Sequence, residues 1–372
     1  MTTNHSSSET TTRHIPSTMN AIIAYTAGDY RYEVVPTPQP GPGEILIKVE
    51  GVGICASDVK AYSGAPMFWG DETQPAYVKA PVIPGHEFVG HVVAIGEGVT
   101  KVSISERVIS EQIVPCWDCR FCNRGQYWMC EKHDIYGFQT NVNGAMAEYM
   151  LFPKEAIVHK VPEQLTLEEA VLIEPYACSM HAVQRAKIEL GDVVVISGAG
   201  TLGLGMVGAA KLSGASTLIV LDLFEDRLET AKAFGADIVL NPAKINVVDE
   251  IKRLTEGYGC DVYIEATGHP QSVVQGLAMI RKLGRFVEFS VFKDPVTVDW
   301  SIIGDRKELD ILGSHLGPYC YPIVIEGIAK GSLPTKGVVT HKLPLASYKE
   351  GFELVKQGKD CLKVLLLPGI SE

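Results

Sequence analysis

The sequence has no apolar segment long enough to cross a membrane and no excess of positive charge. A membrane-spanning helix needs about 20 predominantly apolar residues in succession. Asp and Glu (44) outnumber Lys and Arg (33), and the formal net charge is −11. Because nucleic acids and anionic lipid surfaces repel such a chain, we expect neither nucleic acid nor a membrane as its main partner.

The first 18 residues, MTTNHSSSETTTRHIPST, also lack the apolar core of a secretory signal. They contain Glu9 and a single Arg, whereas transit peptides are rich in Arg and poor in acidic residues. Ser and Thr predominate, so we expect a disordered tail over residues 1–18.

The nine cysteines are an odd number in a chain of 372 residues, which argues against a disulfide scaffold and favours a reducing, cytoplasmic compartment. Four of them follow the spacing C-x2-C-x2-C-x7-C within one short loop: Cys116, Cys119, Cys122 and Cys130. Four thiolates so close in sequence can surround one tetrahedral ion, which is typical of a structural zinc site. Four others stand alone and are expected to be ordinary buried or surface thiols: Cys178, Cys260, Cys320 and Cys361.

The pattern of the chain changes character twice. Residues 20–160 are rich in alternating β-branched residues interrupted by Gly and Pro, which predicts strands and loops. From about residue 193, short apolar strands alternate with helix-like segments, which is typical of a parallel sheet with crossover helices. From about residue 323 the pattern becomes mixed again and ends in the strand-like KVLLLP. The sequence therefore predicts an α/β protein in which a β-rich domain (residues 19–176 and 323–372) is interrupted by an α/β domain (residues 177–322).

A glycine motif follows the first strand of the predicted α/β domain. Gly198, Gly200 and Gly203 form G-x-G-x-x-G between the strand VVVIS and an Ala- and Gly-rich helix. Such glycines permit a tight turn and the close approach of a pyrophosphate to the helix N-terminus. Asp222 ends the next strand, where its carboxylate can bind ribose hydroxyls and repel a 2'-phosphate. Because Leu223 follows rather than an Arg, we expect NAD rather than NADP; a glycine turn without a nucleotide is the disfavoured alternative.

A second group of soft ligands lies outside the cysteine tetrad. Cys55 occurs in GICASD, His86 and Glu87 in PGHEFVGHV, and Glu174 in IEPYA. A Cys, a His and one carboxylate would give the three protein ligands of a catalytic zinc, which keeps a fourth position open. A lone Cys or His usually fills a core, but the adjacent Gly and Pro residues and the nucleotide loop favour a metal site.

With these motifs the chain resembles, over about residues 19–370, the zinc-containing medium-chain dehydrogenases, which include alcohol, sorbitol and threonine dehydrogenases. The resemblance rests on Gly-His-Glu at residues 85–87, the cysteine tetrad, Glu174-Pro175 and the loop GAGTLG. It implies a GroES-like catalytic domain with a structural zinc loop at about residues 112–132, a Rossmann domain that binds NAD, and a homodimer or homotetramer. It implies Cys55 and His86 as ligands of the catalytic zinc, with Glu87 or Glu174 as the third. It implies these cofactor-binding residues: Gly198, Gly200, Thr201, Leu202, Gly203, Asp222 and Arg227.

The resemblance also implies a mechanism of hydride transfer. Zinc would lower the pKa of a substrate hydroxyl, and Ser57 would take the proton, which would then leave through the nicotinamide ribose hydroxyl. Nicotinamide would accept the hydride. The catalytic residues are then Ser57, Cys55, His86 and Glu87, and Asp58 orients the ligands. Without the resemblance, Ser57 is equally well explained as a turn residue. Many relatives carry a His where this chain has Lys60, so the last step of proton release departs from the family pattern.

The segment 61–81 follows the Cys55 motif and is expected to be a loop that lines the cleft with Phe68 and Trp69, although Trp69 could instead stabilise the fold. The strings FWGDE, SEQIVPCWDC, YGF and HLGPYC are similar to dehydrogenases of erythritol and threitol, which predicts a small polyol substrate that is converted to its ketose. Candidates for contacts with its hydroxyls are Glu87, Glu288 and His315. The alternatives are a sorbitol, xylitol or threonine dehydrogenase and, from another class, a non-enzymatic NAD-binding relative, which the zinc ligands and Ser57 disfavour.

Overall fold

Two large sheets organise the structure, a computed structural model that describes residues 15–370. The predicted disordered tail falls mostly on residues 1–14, which lie outside the described residues. The carbonyl of Ser17 accepts a hydrogen bond from the backbone N–H of Thr37 at 3.0 Å, and Thr18 begins the first strand. Ser17 and Thr18 therefore belong to the fold rather than to a tail.

The helices and strands follow one another in three regions. The N-terminal region contains β1 (Thr18–Thr26), β2 (Asp29–Pro36), β3 (Ile45–Gly53), α1 (Ala56–Tyr62), α2 (Pro66–Trp69), β4 (Glu87–Ile95), β5 (Arg107–Ser110), β6 (Ile113–Val114), β7 (Asp134–Ile135), β8 (Tyr149–Phe152) and β9 (Val158–Lys160). The middle region contains α3 (Leu167–Ala170), α4 (Ile173–Ala186), β10 (Val193–Ser197), α5 (Thr201–Leu212), β11 (Thr217–Leu221), α6 (Glu225–Ala233), β12 (Ile238–Leu240), α7 (Val247–Leu254), β13 (Cys260–Glu265), α8 (Pro270–Met279), β14 (Ile280–Glu288) and β15 (Asp310–Gly313). The C-terminal region contains α9 (Tyr321–Ala329), β16 (Val339–Pro344), α10 (Tyr348–Gln357) and β17 (Lys363–Leu367).

The seven-stranded sheet combines the two ends of the chain. Its order is β16-β17-β3-β4-β5-β9, and β8 also pairs with β3. In the antiparallel pair β3–β4, Gly53 lies opposite Glu87, so Cys55 and His86 meet just beyond the strand ends. β17 pairs with the other side of β3 and brings Lys363 to the same edge. This register concentrates the predicted metal ligands at one end of the sheet.

The six-stranded sheet is parallel throughout, with the order β12-β11-β10-β13-β14-β15. Counted from β10, this is the order 3-2-1-4-5-6 of a doubly wound dinucleotide-binding fold. Val194 and Ile196 enter one hydrophobic core and Val195 enters another, because both faces of the sheet are covered by helices. The predicted doubly wound parallel sheet is confirmed.

Helices α4 and α9 connect the two sheets and pack against each other. The predicted domain boundaries at residues 176/177 and 322/323 fall inside these helices. The chain therefore passes between the two sheets within continuous helices, and the exact boundaries stay a prediction. Within residues 15–370, no helix has the length and apolar character needed to cross a membrane.

Candidate active site and metal centres

The structure brings Cys55, His86 and Glu87 together at the end of the β3–β4 pair. Their candidate ligand atoms all lie within 4.8 Å of one another. Cys55 is partly exposed, whereas His86 and Glu87 are buried. One thiolate, one imidazole and one carboxylate at this spacing fit a zinc ion that keeps an open coordination position.

Asp58 connects two of these residues. Its Oδ2 accepts a hydrogen bond from the backbone N–H of Cys55 at 2.9 Å, and its Oδ1 lies 3.5 Å from Nδ1 of His86. Burial by itself lowers the pKa of His86, but the neighbouring Asp58 carboxylate outweighs it and raises that pKa. Neither Asp58 Oδ1 nor His86 Nδ1 has a hydrogen-bond partner in the described chain, so the two atoms face each other as a buried charge contact. The carboxylate lies on the Nδ1 side of the ring, which leaves Nε2 for a metal.

The two candidate carboxylates occupy different environments. Glu87 forms a buried ion pair in which Nζ of Lys363 donates to its Oε2 at 2.5 Å. Glu174, in the first turn of α4, lines the same cleft but is not part of the group whose ligand atoms lie within 4.8 Å. Burial, together with the charge of Glu87, raises the pKa of Glu174 to about 7, and the thiol of Cys178 donates to Glu174 at 3.4 Å.

Ser57 and Lys60 both project from α1 into the cleft. The Oγ of Ser57 lies 3.4 Å from Nε2 of His86, the nitrogen left for the metal. The Nζ of Lys60 donates to the backbone carbonyl of Val291 at 2.6 Å, in the segment that follows β14. Lys60 thus links the β-rich domain to the six-stranded sheet across the cleft.

The glycine loop lies between β10 and α5, at the point where the strand order reverses. Gly198 has a φ of +107°, and a Cβ there would lie 2.7 Å from the carbonyl oxygen of Ala266. A Cβ on Gly203 would overlap the carbonyl of Gly198, whereas the space beside Gly200 is open as far as Arg227, 3.9 Å away. The loop therefore packs tightly on its inner side and leaves an open cradle that fits a pyrophosphate.

The other predicted cofactor residues surround this cradle. Asp222 accepts hydrogen bonds from the backbone N–H groups of Ala199 (2.7 Å) and Phe224 (3.0 Å). The guanidinium of Arg227 lies 4.8 Å from the Phe224 ring centroid and donates to the carbonyl of Gly358 at 2.6 Å, while its buried Nε has no partner within the described chain. The hydroxyl of Thr201 donates to the carbonyl of Leu362, and Leu202 lines the cleft.

The cysteine tetrad forms a lobe between β6 and β7, which pair at its base. The four sulfur atoms lie within 4.8 Å of one another, and tetrahedral zinc–thiolate bonds of about 2.3 Å place sulfur atoms at a comparable spacing. Backbone N–H groups of Cys116 and Cys119 donate to the sulfurs of Cys130 and Cys116, each at 3.3 Å. The backbone N–H of Cys122 lowers the pKa of Cys119 to about 6. The lobe fits a closed zinc site.

The substrate side of the cleft has an aromatic wall. Met67 and Phe68 of α2 line it, and the ring of Phe68 stacks on that of Phe138 with the centroids 5.3 Å apart. Trp69 instead donates its indole N–H to the carbonyl of Ala61 at 2.7 Å. This contact favours the alternative in which Trp69 stabilises the fold over the one in which it lines the cleft. The segment 61–81, predicted as a loop, contains the end of α1 and all of α2.

Of the remaining substrate candidates, only His315 lines the cleft. Glu288 lies at the end of β14 beside Glu265, outside the lining residues, and burial raises its pKa to about 7. The structure adds His133, Tyr77 and Lys363, which the sequence analysis did not identify. The only sequence signal for His133 is its position three residues after Cys130.

Comparisons with known proteins agree with this architecture. Residues 41–163 match the family described as an alcohol dehydrogenase GroES-like domain, and residues 201–330 match the zinc-binding dehydrogenase family. The chain is 52% identical over 357 residues to the erythritol/L-threitol dehydrogenase of Mycolicibacterium smegmatis, which covers 95% of this chain and 99% of that protein. It is 34% identical over 360 residues to the sorbitol dehydrogenase of Bacillus subtilis, and the match covers 96% of this chain and 99% of that protein.

A solved structure shows the same overall arrangement. An alcohol dehydrogenase of Escherichia coli CFT073, complexed with NADH, superposes with a TM-score of 0.84 at 28% identity, over 95% of this chain and 100% of that chain.

Proposed function

The chain belongs to the zinc-dependent medium-chain alcohol and polyol dehydrogenases, and from this premise we propose that it interconverts a four-carbon sugar alcohol, such as erythritol or threitol, and its ketose. Family membership confirms the predictions of an oxidoreductase, of a GroES-like domain joined to a Rossmann domain, and of NAD and zinc as cofactors. The substrate proposal is carried by the 52% identity to a protein of that specificity over almost the whole chain. Sorbitol or xylitol and L-threonine are the alternative substrates, because relatives with sorbitol and L-threonine specificity are 34% and 37% identical.

The residues of the site have separate roles in the proposed reaction. When bound, zinc supplies the Lewis acidity that lowers the pKa of an alcohol hydroxyl, and NAD accepts the hydride. We assign Cys55, His86 and Glu87 as the zinc ligands because their ligand atoms cluster, and Glu174 as a nearby carboxyl outside that cluster. Ser57 relays the hydroxyl proton, because its Oγ accepts that proton while its own O–H proton leaves toward the solvent of the cleft. Asp58 faces Nδ1 of His86 and orients the ring.

A substrate screen tests this proposal. Reduction of NAD is followed with erythritol, D- and L-threitol, xylitol, sorbitol, L-threonine and ethanol at equal concentrations. We expect the highest kcat/KM with one of the four-carbon polyols. A clear preference for sorbitol, for threonine or for ethanol would replace the proposed substrate while leaving the enzyme class in place.

We further propose that the enzyme prefers NAD to NADP because of Asp222. The Asp222→Asn variant retains an oxygen that accepts hydrogen bonds from Ala199 or Phe224 but removes the negative charge that repels a 2'-phosphate. The ratio of kcat/KM values for NAD and NADP should fall by about tenfold, which corresponds to about 1.4 kcal/mol of discrimination. A parent enzyme that uses both cofactors equally would contradict the assignment.

Two further expectations accompany this function. The tetrad thiols and Cys55 must stay reduced to bind zinc, and this supports a cytoplasmic location. A homodimer or homotetramer remains a proposal from the family resemblance, and light scattering of the purified protein would determine it.

A further inference from the structure

Two histidines form a pair on the substrate side of the cleft. His133 and His315 both line it, and their Nε2 atoms are 2.8 Å apart. They are 182 positions apart in the chain. His133 follows the cysteine lobe of the β-rich domain, whereas His315 follows β15 of the six-stranded sheet. The pair is therefore assembled from both domains at the cleft.

A row of aromatic rings connects this pair to the metal-binding residues. The ring of His86 lies 5.5 Å from that of Phe138, which lies 5.8 Å from that of Tyr77. Tyr77 lies 5.6 Å from the ring of His133, and its hydroxyl donates to the His133 carbonyl at 2.8 Å. The pair thus lies three ring contacts from His86, along the same wall of the cleft.

The chemistry of the pair suits a hydroxyl compound. A hydrogen bond between two Nε2 atoms requires one protonated and one bare nitrogen. In two neutral rings, one Nδ1 is then an acceptor and the other is a donor, and neither has a hydrogen-bond partner among residues 15–370. Burial, together with the neighbouring His133, lowers the pKa of His315 to about 4, which keeps that ring neutral.

Ser314 adds an unsatisfied group beside the pair. Ser314 is one of the residues that line the cleft, and its buried Oγ has no hydrogen-bond partner in the described part of the chain. Buried hydroxyls without a partner are rare because the missing bond is costly. A hydroxyl of a bound substrate would satisfy it.

We propose that His133, His315 and Ser314 bind the hydroxyls of the polyol that do not react and thereby select polyols against simple alcohols. This inference rests on the proposed polyol dehydrogenase activity. A site built to hydrogen-bond hydroxyls discriminates strongly against analogues without them, because its polar groups are then left unpaired. His133 and His315 act on specificity and take no part in hydride transfer.

The test compares a polyol with an alcohol that lacks the additional hydroxyls. Steady-state kinetics with the preferred four-carbon polyol and with butan-2-ol are measured for the zinc-loaded parent and for His133→Leu and His315→Leu. We expect kcat/KM for the polyol to fall tenfold or more, mainly through KM, and that for butan-2-ol to change less than threefold. His315→Gln, which keeps a donor and an acceptor near Nε2, should recover much of the loss. His341→Leu, in β16 away from the cleft, is the control.

Melting temperature and zinc content are recorded for every variant to separate specificity from structure. If kcat/KM of a folded variant fell equally for both substrates, or for neither, this inference would be contradicted. The proposed polyol dehydrogenase activity would not be affected by that result. A parent enzyme that oxidises butan-2-ol but no polyol overturns the proposed substrate class, and the inference with it.

Discussion

The hydroxyl of Ser57 lies 3.4 Å from Nε2 of His86, where it can accept the proton of an alcohol bound beside that ring. We predict that Ser57→Ala lowers the rate of hydride transfer by about 10²–10⁴-fold, the usual contribution of a general acid–base group. The affinity for NAD should stay unchanged, because Ser57 lies on α1 and the glycine loop lies on the other domain. Single-turnover measurements with a deuterated alcohol check the chemical step, and fluorescence titration checks NAD binding.

Ser63 provides a matched control for this substitution. It is an exposed serine at the C-terminal end of the same helix, so Ser63→Ala should behave like the parent. Part of the activity lost in Ser57→Ala should return at high pH, where an alcohol ionises without a proton acceptor. If Ser57→Ala retained the parental rate with chemistry limiting, Ser57 would be a turn residue only.

At the scale of elements, the cysteine lobe contains four clustered thiols above the short β6–β7 pair. We predict that Cys122→Ser lowers the zinc content from two ions per chain toward one and lowers the melting temperature by several degrees, because structural zinc contributes directly to the free energy of folding. Elemental analysis and calorimetry measure both effects. Activity per folded molecule should fall far less than the folded fraction.

Cys260→Ala is the control for this prediction, since Cys260 is a buried thiol in β13 that belongs to neither candidate metal-binding group. It should retain both zinc ions. A Cys122→Ser variant with parental stability and full zinc content would show that the tetrad does not hold a structural metal.

Elements whose members lie close in sequence could be predicted, because spacing alone determines their geometry. The glycine loop Gly198–Gly203 and the tetrad are of this kind. The inner strands β10, β11 and β13 were also predictable, since strands buried on both faces read as continuous apolar segments. The β1–β2 hairpin and α1 were not identified, because the polar and apolar residues of these segments follow neither the period of a strand nor that of a helix closely.

Contacts across long stretches of sequence could not be predicted. The meeting of His133 with His315 depends on how the two domains pack, over 182 positions. The same holds for the choice between Glu87 and Glu174, because the position of α4 relative to the β3–β4 edge is a tertiary property. The orientation of Trp69 depends on the carbonyl of Ala61, which its partly buried indole N–H reaches.

At the scale of the whole molecule, the hydrogen bond from Lys60 to the carbonyl of Val291 joins the two walls of a cleft of about 510 Å³. Hydrogen bonds to charged groups contribute about 1.5–3 kcal/mol. We predict that Lys60→Met loosens the closed arrangement and speeds the release of NADH by about tenfold or more. Stopped-flow fluorescence measures this rate directly.

Lys60→Arg is the conservative control, because it retains a charged donor at the same position. It should release NADH at nearly the parental rate. If Lys60→Met and the parent released NADH equally fast, the bond would not contribute to cleft closure.

The ion pair of Glu87 and Lys363 has a consequence for the order in which the protein is made. The partners are 276 positions apart, and Lys363 lies in β17, the last strand among the described residues. The ribosome synthesises Glu87 long before its counter-charge, and a buried carboxylate without a partner is strongly unfavourable. We therefore expect the edge of the sheet that carries Cys55, His86 and Glu87 to be completed only after β17 has been synthesised. A chain truncated before residue 363 should form little working enzyme, even with every predicted metal ligand present.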